Sequence, residues 1–192
     1  MMIRKFGFSA AWQALLSRVP NSDGADLPAL TDLAVESWEI APAQTAYLPP
    51  AIFLPDQIEQ AGVVLELVEQ PVKAQDIAGL KAVTAAVHTP VMADESSFGP
   101  REVIDLIKMR AADIINIKLM KTGGIANAIK IADICSFYDM QCMIGCMLEG
   151  SISVAAAVHV AVAKSDVITK IDLDGPSLCL FDPVHSSVRF ND

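Results

Sequence analysis

From about residue 63 onward, the apolar positions of this chain switch between two spacings. Short apolar runs of strand propensity at residues 63–68, 90–93, 113–120, 142–147 and 167–173 are separated by longer segments whose apolar residues recur at helical spacing. In the third run, Ile115, Ile117 and Leu119 share one face, and Asn116, Lys118 and Met120 the other. Gly123-Gly124 then turns the chain into a helix predicted from Ile125 to Tyr138. The other predicted helices run from a cap at Asp76 to His88, from Pro100 through Val103, Ile104, Ile107 and Met109, and along the alanine-rich stretch up to Lys164.

Strand and helix alternating over short links predict an α/β fold with a parallel sheet built from βα units. Polar residues recur at the carboxyl ends of the strands, which favours a (β/α) barrel over a doubly wound sheet. No Gly-x-Gly-x-x-Gly or phosphate-loop motif argues for the alternative. A whole barrel takes ~250 residues, and this chain has 192. A partial TIM-type barrel over residues 56–192 is therefore expected.

Residues 1–55 read differently, with Pro20, Pro28, Pro42, Pro49, Pro50 and Pro55 and no sustained period. They are read as an irregular N-terminal segment holding short helical pieces near 10–16 and 29–37. Residues 56–61 look like a helix tail stopped by Gly62. The opening Met-Met-Ile-Arg-Lys is followed by apolar residues, but Gln13 interrupts that run and no small-residue cleavage site follows, so it reads as non-targeting.

Charge and composition narrow the function. A net charge of −9 with no basic stripe excludes nucleic acid and suits a small molecule or a divalent cation. No run reaches the ~18 apolar residues of a membrane span. Cys135, Cys142, Cys146 and Cys179 lack metal-ligand spacing with histidine and read as buried free thiols of a cytoplasmic protein. His88, His159 and His185 are isolated and taken as surface or packing residues, and Met140, Met143 and Met147 as core.

The chemistry lies at the strand ends, where Glu69, Asp94, Lys118, Glu149, Asp172 and Asp174 stand. In a closed barrel these ends meet at one mouth. Two carboxylates on neighbouring strands, Glu69 and Asp94, suit a hard ion such as Mg2+, which takes oxygen ligands. Lys118 is placed to remove a carbon-bound proton next to a carboxylate or carbonyl polarised by that ion.

At these residues the sequence resembles the enolase superfamily in its mandelate-racemase and muconate-lactonising branch, and within it the dipeptide epimerases of the L-Ala-D/L-Glu type. The resemblance is carried by Leu67-Val-Glu-Gln-Pro-Val72, Met92-Ala-Asp-Glu-Ser96, Ile117-Lys-Leu-Met-Lys-Thr-Gly-Gly-Ile125, Met147-Leu-Glu149 and Asp172-Leu-Asp174. It implies strands four to eight of a modified TIM barrel, with Glu69 and Asp94 as second and third magnesium ligands. Lys118 becomes the acid/base lysine of the sixth strand, acting through an enolate. Asp172 and Asp174 become the grip on the α-ammonium group of a small dipeptide, with Glu149 in a neighbouring strand-end motif.

The family's Lys-x-Lys pair and its first metal-ligand aspartate are not legible; Asp32 stands in a distorted echo of the aspartate segment. The expectation is thus a truncated, impaired epimerase, with an inactive barrel fragment or a related cycloisomerase as alternatives and a homo-oligomer left open.

Overall fold

The computed structural model describes residues 65–182 and 184. The chain divides into two compact units, Met1–Val91 and Met92–Asp192. The predicted pieces at 10–16, 29–37 and 56–61, the start of the 63–68 strand, the boundary at residue 55, Asp32 and His185 lie outside the described residues.

In the first unit, strand β1 covers only Val68–Glu69, later and shorter than the apolar run suggested. Its pairing partner is the run into the next strand, where Pro90 O accepts from Val68 N–H at 2.9 Å. Gln70, at φ 38°, adopts a left-handed conformation and ends the extended backbone. Helix α1 spans Ile77–Ala86, and Asp76 caps it as predicted, its Oδ1 accepting from Gly79 N–H at 2.8 Å. Leu67, Leu80 and Val83 are among the buried apolar residues of this unit.

Strand β2 (Val91–Ala93) leads into the second unit, which continues with α2 (Pro100–Met109), β3 (Ile114–Lys118), the single turn α3 (Leu119–Thr122), α4 (Ile125–Phe137), β4 (Gln141–Gly145), α5 (Ser151–Ala163) and β5 (Ile168–Asp172). A 3-10 turn follows at Gly175–Leu178. Within this unit β2 pairs with β3, β3 with β4 and β4 with β5, every pair parallel. That is the parallel βα repeat predicted from the alternation.

Ile114, Ile115, Asn116 and Ile117 are all buried, so β3 is covered on both faces, as parallel strands flanked by helices are. Each isoleucine taken out of water there contributes roughly 1.5–3 kcal/mol. Pro100 opens α2 at a position where its missing N–H costs nothing.

Two expectations need correction. Leu119 and Met120 do not continue the strand: the backbone is extended at Lys118 and then closes at once into α3. Gly123, at φ 76°, ends that turn in a conformation glycine adopts without strain. Met147 is not core but exposed past the end of β4, whereas Met143 is fully buried within it.

Candidate functional site

The register of β3, β4 and β5 sets Lys118 opposite Gly145, and Gly145 opposite Asp172. These three residues form one row across the strand ends. Adjacent strands lie about 4.8 Å apart, so the backbones of Lys118 and Asp172 are separated by roughly 10 Å. With no side chain of its own, Gly145 makes room for the side chains of Asn116 and Lys118. A Cβ there would come within 2.7 Å of Asn116 Oδ1 and 3.1 Å of Lys118 Cε. A glycine inside a strand often marks such a close approach.

Asp94 immediately follows β2, and its carboxylate is buried. Lys118 Nζ donates to Oδ2 at 2.9 Å, and Lys121 Nζ to Oδ1 at 2.5 Å. Side-chain exposure is 2% for Asp94, 12% for Lys118 and 6% for Lys121, so this is a buried triad rather than a screened surface pair. Burial by itself would raise the acid's pKa, but the charges of Lys121 and Lys118 and their hydrogen bonds outweigh it and hold the carboxyl well below the usual range. Ser97 Oγ donates to Asp94 O at 2.8 Å, tying down the loop that leaves the strand.

A second cluster surrounds Cys146, just past β4. Its sulfur accepts from Gly175 N–H at 3.3 Å. Burial pushes the thiol pKa up; the Gly175 hydrogen bond opposes this, and the nearby charges of Asp174, Glu149 and Asp172 reinforce it. The three acidic residues singled out from the sequence therefore converge on one spot. Gly175 is a tight joint of that cluster, since a Cβ there would meet Met147 O at 2.8 Å and Glu149 O at 2.9 Å.

Glu149 is buried and its carboxylate holds its own loop: Oε1 accepts from Met147 N–H at 3.0 Å and Oε2 from the Ser153 hydroxyl. Asp172 and Asp174 are half-buried on either side of the buried Leu173. Of the cysteines expected to be buried, Cys135 and Cys142 are, while Cys146 and Cys179 are half-exposed; all four are free.

Glu69 closes β1 in the first unit and is half-buried. Glu69 and Asp94 are oxygen donors, the type a hard divalent cation takes. Lys118 and Lys121 each donate to one oxygen of the Asp94 carboxylate. In donor type the residues fit magnesium, although among the described residues no group of three His, Cys, Asp or Glu side chains gathers that could hold an ion. Also among the described residues, no helix is long and apolar enough to cross a membrane.

Sequence reasoning found the acidic residues and Lys118 but missed Lys121, Ser97, Gly145 and Cys146. For Gly145 a signal existed, a lone glycine in an apolar strand. For Lys121 none did, because the carboxylate it holds, Asp94, lies 27 residues back in the chain.

The chain is similar to known proteins over most of its length. A family model described as Enolase C-terminal domain-like matches residues 43–192. Over 136 residues the chain is 57% identical to the L-Ala-D/L-Glu epimerase of Clostridium acetobutylicum, a match covering 71% of this chain and 38% of that protein. The Bacillus subtilis L-Ala-D/L-Glu epimerase is 44% identical over 135 residues, 70% of this chain and 37% of that protein.

Among solved structures, the dipeptide epimerase from Enterococcus faecalis V583 complexed with Mg and the dipeptide L-Leu-L-Tyr superposes with a TM-score of 0.70 at 44% identity. That match covers 77% of this chain and 41% of the other. The chain thus spans about two fifths of the length of these relatives.

Proposed function

Because this chain belongs to the enolase C-terminal domain-like family, we propose that its strand ends carry the chemistry of a magnesium-dependent dipeptide epimerase of the L-Ala-D/L-Glu type, with Lys118 as the base. The observation that carries this reading is the row Lys118–Gly145–Asp172. It sets an amine and a carboxylate two strands apart with a residue lacking a side chain between them, an order that suits a substrate with an acidic C–H at one end and an ammonium at the other. Relatives named as L-Ala-D/L-Glu epimerases, and a neighbour holding Mg and a dipeptide, support the substrate class.

In this reading Glu69 and Asp94 hold the cation. When bound, it draws charge from the substrate carboxylate and lowers the cost of removing the neighbouring proton. Lys118, as the amine, takes that proton: the C–H bond breaks, an N–H bond forms, and exchange with solvent returns a different hydrogen to the same face. Asp172 and Asp174 bind the α-ammonium group, and Glu149 shapes the loop beside them. Inversion needs in addition an acid on the opposite face of the substrate; with Lys118 acting alone, the chain is expected to exchange the α-hydrogen faster than it inverts the centre.

The test is incubation of L-Ala-L-Glu with the chain and Mg2+ in heavy water. Deuterium should appear at the glutamyl α-carbon, and Lys118→Ala should abolish it. Incorporation that survives Lys118→Ala would remove Lys118 from its role. No incorporation by folded wild-type chain would refute catalysis and leave a scaffold without turnover.

A further inference from the structure

Among the described residues the Lys121 ammonium has at least four acceptors: Asp94 Oδ1 and Asp94 O at 2.5 Å each, Asn116 O at 3.0 Å and Ser97 Oγ at 3.3 Å. An ammonium has three N–H groups, so these contacts exhaust its donors and leave nothing for a substrate. Lys121 is therefore neither a second base nor a binding group. It stands three residues after Lys118 and reaches back to join the ends of β2 and β3. Immobilising a lysine side chain costs rotamer entropy. A buried ammonium is tolerated only with its partners in place.

We propose that Lys121 is a positioning residue for Asp94. By occupying Oδ1 and the main-chain carbonyl, it fixes the carboxylate plane and presents Oδ2 to Lys118, and it would hold the carboxylate in place for a cation. Ser97 assists, since its hydroxyl donates to the same Asp94 carbonyl. The inference rests on the metal reading above only for its cation half, and the two Asp94 partners supply a matched control. Each places one positive charge on the same carboxylate at similar range. Neutralising either gives a nearby cation a similar electrostatic gain, so a difference between them reports geometry.

The experiment counts bound Mn2+ by electron paramagnetic resonance on the full chain. Asp94→Asn should lose binding at least tenfold, and Lys118→Met should bind more tightly than wild type. Lys121→Met should bind at least tenfold more weakly than Lys118→Met, and equal affinities of those two variants would overturn the proposal. Binding unaffected by Asp94→Asn would overturn the metal reading instead. The positioning claim is then decided without metal, in 15N spectra of the lysine side chains. The Lys118 Nζ signal should shift in Lys121→Met, and an unmoved signal would overturn the claim. Should Lys121→Met fail to fold, Lys121→Arg keeps the charge but carries a wider fork. Weakened Mn2+ binding would support the proposal, and wild-type affinity would overturn it.

Discussion

Replacing Gly145 with alanine puts a methyl group against Asn116 and Lys118. The added carbon would lie 2.7 Å from Asn116 Oδ1, 3.2 Å from Asn116 Nδ2 and 3.1 Å from Lys118 Cε. Carbon pairs settle at roughly 3.5–4.0 Å, so the lysine must swing away by about half an ångström. Asn116 has less freedom, because it is buried in the middle of β3. Overpacking of this kind costs about 1–3 kcal/mol, which lowers the melting temperature by roughly 2–12 °C at this chain length.

The displaced lysine also loses alignment with its target. Misplacement by ~1 Å can cost about a hundredfold in rate, so α-hydrogen exchange should fall roughly ten- to a hundredfold. Gly150→Ala is the control, since its nearest new neighbour is Asp182 Oδ1 at an ordinary 3.8 Å. Calorimetric melting and deuterium incorporation are read on both variants. A Gly145→Ala chain that melts and exchanges like Gly150→Ala would refute the reasoning.

Two further outcomes are expected. The Asp94 carboxyl is held below its unfolded value near 3.8, so its contribution to stability is fully present above that value and drains away as pH falls through the folded value. The stability gap between wild type and Asp94→Asn in urea melts should accordingly be constant near neutral pH and shrink below about pH 4; a gap that does not narrow in acid would show that the lysines do not hold the charge. For Cys146, a pKa raised by burial and by the surrounding carboxylates leaves little thiolate at about pH 8. Mass-spectrometric mapping should find it alkylated by iodoacetamide several-fold more slowly than a cysteine peptide and faster in Asp174→Asn, while wild-type alkylation at the peptide rate would refute the assignment.

The α/β class, the order of the elements, the cap at Asp76 and the strand-end residues were all legible in the chain. Each of these depends on local spacing: a period of two or 3.6, a turn glycine, a carboxylate at the end of an apolar run. The end of β3 was misplaced because Leu119 and Met120 keep the strand's alternation while Gly123 closes a helical turn behind them. Local pattern cannot decide between two conformations that both bury Leu119.

By itself, then, the sequence determined which residues carry charge and on which strand each would end. Only the tertiary structure decided what those charges do. It placed Lys121 and Lys118 on opposite oxygens of Asp94, left the room for Lys118 at Gly145, and gathered Asp172, Asp174 and Glu149 about Cys146. The physical reason is range. Periodicity is written over neighbouring residues, whereas a buried ion pair or a gap between strands depends on parallel register, which joins residues more than twenty positions apart.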